Sequence, residues 1–173
     1  EAMPALIEKY VHGDAHAEIP GDLEPAPYYP NNPSSPIRSW DHAAAKAAGE
    51  TLLKEGKVAC FTVAGGQGSR LGYDGPKGCY PTGVISEKPL FQIFAESILA
   101  AGAKYGRPIP WYIMTSPLNH QATVAFFNEH NHFGLNPSDV MFFEQGVMPS
   151  IGRDGKILLA AKGQVATNPD GHG

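Results

Sequence analysis

The stretch Lys57–Tyr80, KVACFTVAGGQGSRLGYDGPKGCY, joins an apolar run to a segment with glycine at positions 65, 66, 68, 72, 75 and 78. KVACFTVA is short, continuous and carries β-branched residues, which reads as a strand buried on both faces. Glycine loses more conformational freedom on folding than any other residue, so a cluster placed directly after a strand needs a cause. Either the backbone turns sharply there, or a ligand comes very close to it.

Downstream, PLFQIFAESILAAG has Pro89 at a first helical position, ends at Gly102, and repeats Leu90, Ile93, Phe94, Ile98 and Ala101 at helical spacing. IPWYIM reads as a second strand, NHQATVAFFNEH as a helix and DVMFF as a third strand, and GRDGK places Asp154-Gly155 in a hairpin turn. Strand, loop, helix, strand, helix, strand predicts an α/β fold with a mostly parallel sheet and flanking helices. In such sheets ligands sit outside the carboxyl ends of the strands, where the glycine loop lies.

Upstream, SWDHAAAKAAGETLLKEG predicts a helix with Ser39 as N-cap and Gly56 as its stop. Pro20 to Pro36, PGDLEPAPYYPNNPSSP, is an extended connector, because proline fixes φ and restricts its predecessor. Met3–Val11 is expected to form a short helix. The division that follows is an N-terminal helical and proline-rich segment, 1–57, and an α/β half, 58–173.

Composition restricts the classes of partner. The 173 residues are 42% hydrophobic and 17% charged, with a net charge of −4. That balance describes a globular domain and provides no electrostatic footprint for nucleic acid or an anionic membrane. No apolar run reaches the length of a membrane span, and no signal peptide heads the chain. Cys60 and Cys79 lack any framework spacing and are read as reduced thiols of a cytoplasmic protein. Both ends look cut, so a fragment of a longer protein is expected.

Backbone N–H groups of Gly65, Gly66 and Gly68 can converge on one anion, and the missing Cβ atoms let phosphate oxygens approach. Arg70 adds a bidentate phosphate partner and Lys77 a point charge. Two known phosphate motifs fail on detail. A Walker loop needs Gly-Lys-Ser/Thr, which GSRLG lacks; a dinucleotide fingerprint needs a third glycine one residue earlier than Gly72 and a helix starting at once. A plain surface loop is the alternative, as are surface ion pairs for Arg70 and Lys77.

AGGQGSRLG followed by GPKG closely resembles the motif of the eukaryotic-type UDP-sugar pyrophosphorylases, and within them the N-acetylhexosamine branch. EKPLFQIFAESI, IPWYIMTS, FFNEHNHFGL, VMFFEQGVMPSI, DGKILL and PDGHG follow in the family's order, so the likeness runs from Trp40 to the end. Gln67 is typical of the N-acetylhexosamine branch; glucose-specific and broad-specificity branches usually carry Leu there. The resemblance implies a Rossmann-like nucleotide-diphospho-sugar transferase fold, incomplete in this chain. It also implies a reaction in which a sugar 1-phosphate attacks the α-phosphorus of UTP and releases pyrophosphate with Mg²⁺ assisting.

The same resemblance distributes roles. Ala64, Gly65, Gly66, Gln67 and Gly68 would hold nucleotide and phosphates through the backbone. Arg70 would stabilise the departing pyrophosphate, and Lys77 would neutralise charge on the α-phosphate. Gln145, in the QG step, would read uracil, whose imide donor and carbonyl acceptors an amide can match; capping a strand end is its structural alternative. Pro169 and Gly171 of PDGHG would lie against the uridine, and His172 would contact sugar or ribose where the family more often has Asn. No D-x-D pair or carboxylate cluster occurs, so the aspartate that holds Mg²⁺ is expected outside this chain, and no metal ligand is nominated. His130 and His132 are treated as helix-end residues. A non-catalytic nucleotide-binding module is the rival of another class.

Overall fold

The computed structural model describes residues 3–9, 13 and 21–170, which fall into two compact units. The larger spans 42–146. The smaller contains the described residues up to Asp41 together with Val147–Asp170.

In the smaller unit the expected N-terminal helix is α1, Met3–Ile7; Tyr10 and Val11, at the end of the expected span, lie outside the described residues. Residues 21–36 form neither helix nor strand, as their prolines require.

The larger unit opens with α2, His42–Lys54. Its first turn begins later than expected, so the position before the helix is Asp41, and Ser39 lies outside. The predicted stop holds: Gly56 has φ +68°, and the amides of Gly56 and Lys57 donate to the carbonyls of Leu53 and Leu52.

Three parallel strands form the sheet: β1, Cys60–Val63; β2, Trp111–Thr115; β3, Val140–Glu144, in the order β1-β2-β3. The register sets Cys60, Trp111 and Val140 side by side, and Thr62, Ile113 and Phe142 next to them on the same face. Against this face pack α3, Leu90–Tyr105, and α4, His120–Glu129. Phe91, Ala95 and Ile98 come from α3 and Phe127 from α4; Phe127 lies 5.0 Å from Phe91, 5.5 Å from Trp111 and 5.0 Å from Phe142, ring to ring. These edge-on contacts suit the aromatic quadrupole. The Trp111 indole N–H is satisfied within the core by Thr62 Oγ1 at 2.8 Å.

The opposite face of the sheet carries Phe61, Val63, Tyr112, Met141 and Phe143, all exposed, around a buried Met114; Phe61 is 58% exposed. The expectation that β1 is buried on both faces is therefore corrected. The two faces of β1 are both apolar, so the alternation that marks a half-buried strand is absent from its sequence.

Three details of α3 also differ. Gly102 lies inside the helix, and the terminator is Gly106, with φ +70° and its amide bonded to Gly102 O. Glycine inside a helix costs about 1 kcal/mol but does not stop it. Pro89 is the residue before the first helical one, and the buried stripe runs through Phe91 rather than Leu90. After α4, Asn131, His132 and Phe133 form a left-handed turn with φ of 48°, 51° and 54°, which lays Phe133 against Phe126 and Phe127.

The C-terminal part of the smaller unit contains β4, Val147–Pro149; β5, Leu159–Ala161; β6, Gln164–Val165; and β7, Thr167–Pro169. β4 pairs antiparallel with β7, and β5 with β6. The predicted turn is present: Gly155 N donates to Gly152 O, Gly155 has φ +74°, and Ile151 bridges Ile157. Asp154 and Gly155 thus fill the last two positions of a type I turn with a left-handed closing residue.

Candidate functional site at the carboxyl rim of the sheet

The three strands end at one rim, and their exits are tied together. Ala64 N donates to Met114 O at 2.6 Å, and Gln145 N donates to Thr115 O at 2.8 Å. The parallel ladder thus continues one residue past β1 and β3, which fixes where the glycine loop and Gln145 begin.

The loop leaves the rim and comes back. A 3₁₀ turn at Ser69–Leu71 reverses it; Gly68 N donates to Gly75 O at 2.8 Å, Gln67 bridges Pro76, and Lys77 N donates to Gly66 O at 3.0 Å. Lys77 is thereby returned to the side of Gly66. Its own turn, Lys77–Cys79, is held from beneath, since Gly78 rests on the ring of the buried Phe91. A cavity of about 280 Å³ opens here, lined in part by Thr62, Ala64, Gly66, Lys77 and Phe91.

Gln145 is buried at 8% exposure, and its Oε1 finds no hydrogen-bond partner among the described residues. A buried acceptor without a donor is costly and uncommon. The amide lies against Gly65, where a Cβ would stand 2.9 Å from Oε1. Gly66 differs: a Cβ there would meet nothing within 4 Å. A Cβ at Gly65 would thus press on the end of the Gln145 side chain, whereas one at Gly66 would press on nothing.

Lys77 and Arg70 are exposed, and neither makes an ion pair among the described residues. Cys79 is buried beside Lys77, and burial pushes its thiol up to about 12. Such a thiol is no nucleophile near neutral pH.

The structure brings Ala64, Gly65, Gly66, Gln67, Gly68, Lys77 and Gln145 to one rim, with Arg70 on the turn that reverses the loop. Pro169 lies in β7 of the smaller unit. Gly171 and His172 lie outside the described residues. Among the described residues no group of three His, Cys, Asp or Glu side chains could hold a metal ion.

Two partners at this rim escaped sequence reasoning. Asn119 is 1% exposed; its Nδ2 donates to Ala64 O at 2.9 Å and to Gly66 O at 3.3 Å, while its Oδ1 accepts from Ser116 N at 2.9 Å. Thr115 Oγ1 donates to Phe143 O at 3.0 Å and lies 2.7 Å from His120 Nδ1. A hydroxyl has one proton, so with that proton on Phe143 O, His120 Nδ1 is the donor to Thr115. Asparagine preceding the HQATVAFF helix signals a cap, but nothing local discloses its contacts across the rim.

Known proteins bear on this geometry. Residues 26–173 match the family model described as UTP–glucose-1-phosphate uridylyltransferase. UDP-N-acetylglucosamine diphosphorylase 2 of Arabidopsis thaliana is 45% identical over 136 residues, 72% of this chain and 27% of the relative. UDP-N-acetylglucosamine pyrophosphorylase of Saccharomyces cerevisiae is 44% identical over 129 residues, again 72% and 27%. The crystal structure of the uridine diphosphate N-acetylglucosamine pyrophosphorylase from Trypanosoma brucei, in complex with inhibitor, superimposes with a TM-score of 0.66 at 32% identity, covering 73% of this chain and 26% of that one. The chain thus matches about a quarter of the length of these relatives. The parallel sheet with its helices, the order of the motifs and the family match agree: the chain belongs to the UTP–glucose-1-phosphate uridylyltransferase family.

Proposed function

We propose that residues 58–173 form the UTP-binding half of a uridylyltransferase that makes a UDP-sugar and pyrophosphate from UTP and a sugar 1-phosphate. N-acetylglucosamine 1-phosphate is the sugar substrate this reading favours, because the relatives named above are N-acetylglucosamine enzymes and Gln67 matches that branch. The single observation that carries the proposal is the meeting of a bare backbone at Gly66, the cation of Lys77 and the unpaired buried Oε1 of Gln145 at one rim.

The chemistry follows from those groups. A phosphate oxygen of the sugar 1-phosphate bonds to the α-phosphorus as the bond to the β-phosphate oxygen breaks, and pyrophosphate leaves with the electron pair. Such transfers depend on positioning and on neutralising charge. Lys77 would sit at the α-phosphate and Arg70 at the departing pyrophosphate. Gln145 Oε1 would accept the uracil imide N–H while its Nε2 donates to a ring carbonyl. Magnesium would lower the charge repulsion when bound; its protein ligand would come from outside this chain, and no step is assigned to it. Cys60 and Cys79 are both free thiols, in keeping with a cytoplasmic site of action.

Calorimetry of UTP with this chain and with Lys77→Ala tests the proposal, ATP serving as control. UTP should bind in preference to ATP, and the variant should lose roughly tenfold to a hundredfold in affinity, the worth of one charged hydrogen bond. A folded chain that binds neither nucleotide, or both equally, overturns it.

A further inference from the structure

We propose that Asn119 is a positioning residue for the nucleotide loop, a role that rests on the UTP reading of the rim and goes beyond the loop's own motif. Asparagine ahead of a helix normally accepts from the first helical amides. Asn119 makes no such bond with α4. Its amide is turned away from the helix and spent on two carbonyls of the glycine loop, those of Ala64 and Gly66.

The consequence lies in the peptide planes. A carbonyl held toward Asn119 fixes the plane of the following peptide, and with it the direction of the next N–H. Pinning the carbonyls of Ala64 and Gly66 therefore sets the amides of Gly65 and Gln67, in a stretch that glycine would otherwise leave free to rotate. Gly66 O also accepts from Lys77 N. One oxygen thus joins Asn119 to the backbone of the lysine proposed at the α-phosphate. Asn119 itself is buried, held from its other side by Ser116 N, and comes from a helix anchored in the core through Phe127. It is a fixed point against which a glycine-rich sequence is aligned, and it touches no phosphate in this scheme.

The test uses the whole chain with UTP as probe, and two variants. N119D keeps the acceptor for Ser116 N and the side-chain shape but has no hydrogen to give either carbonyl. N119L keeps the branched shape without introducing charge. Both should weaken UTP binding by roughly tenfold to a hundredfold, the cost of two lost hydrogen bonds that align the loop. Thr123→Val, on the same helix, should leave affinity unchanged. Amide hydrogen exchange gives a readout that a general loss of stability would not imitate: Lys77 N–H should exchange faster in both variants, while Ile113 and Met114 in the central strand keep their protection. In the wild type, the Asn119 side-chain amide hydrogens should exchange far more slowly than those of an exposed asparagine, which requires no variant to fold.

Wild-type affinity retained in either variant, or free exchange of the Asn119 amide in the wild type, overturns the positioning role. Should the wild type fail to bind UTP, the nucleotide reading falls by itself; the exchange at Lys77 and Asn119 still decides whether Asn119 holds the loop.

Discussion

Gly65 and the Gln145 side chain share a space that has no room for one more carbon: a Cβ on Gly65 would lie 2.9 Å from Gln145 Oε1 and 3.2 Å from its Cδ. Gly65→Ala should therefore move the Gln145 amide away from its present position. UTP affinity should fall by roughly tenfold, and the preference for UTP over ATP should shrink with it. Calorimetry with both nucleotides checks this; undiminished selectivity would dissociate Gln145 from base reading.

Gly66→Ala makes the complementary case. No protein atom waits within 4 Å of the added methyl, and the residue is not in a left-handed conformation. The variant should melt at the same temperature or gain up to about 1 kcal/mol through a less flexible unfolded chain. On the proposed UTP reading its affinity should nonetheless drop, since the methyl would take space left open for phosphate. Thermal melts and calorimetry on one preparation measure both, and equal affinity would mean that no ligand needs this backbone bare.

Gly78→Ala should act through the fold. The new methyl would collide with the ring of Phe91, which is 1% exposed and wedged against Trp111 and Phe127. Overpacking of that kind costs roughly 1–3 kcal/mol. Urea unfolding should show the loss, and Lys77, next in the chain, should shift with it.

Cys79 ties stability to alkaline pH. Burial holds its thiol at about 12, above the ordinary value of 9.0. The folded chain keeps this proton more tightly than the unfolded one, so the contribution is whole below about pH 9 and is lost as pH climbs from there through about 12. Cys79→Ala should be less stable than the wild type by roughly 1 kcal/mol at about pH 8. The gap should narrow above about pH 9 and reverse by about pH 11, because the wild-type thiol then ionises on unfolding. Urea melts at the two pH values are the check, and a constant gap would refute the linkage.

Much of the fold could be read from local pattern. The three parallel strands, α3, α4 and the turn at Asp154-Gly155 stand where apolar runs, periodicity and turn residues place them. What escaped depends on neighbours. β1 is apolar on both faces, which hides that only one is covered. Gly102 resembles a stop until Ala103, Lys104 and Tyr105 carry the helix on to Gly106. The loop, Lys77 and Gln145 were legible as candidates through their motifs, whereas the bond from Lys77 N to Gly66 O, which sets two of them side by side, was not. Asn119 was invisible as a rim residue because its partners Ala64 and Gly66 lie 55 and 53 residues away.

The one-sided layering of helices has a consequence for where a ligand can lodge. From β1 through β2 to β3 the chain steps in one direction, and right-handed crossovers then deliver every helix to the same side. A parallel strand laid beyond β1 would reverse the stepping and by the same rule bring a helix over Phe61, Tyr112 and Phe143. At such a reversal the connections leaving neighbouring strands part to opposite sides and leave a crevice at their carboxyl ends. The glycine loop already stands at the carboxyl end of β1. Its bare backbone would form one wall of that crevice, and the same edge that leaves this chain with an apolar flank would set the mouth of the proposed nucleotide site.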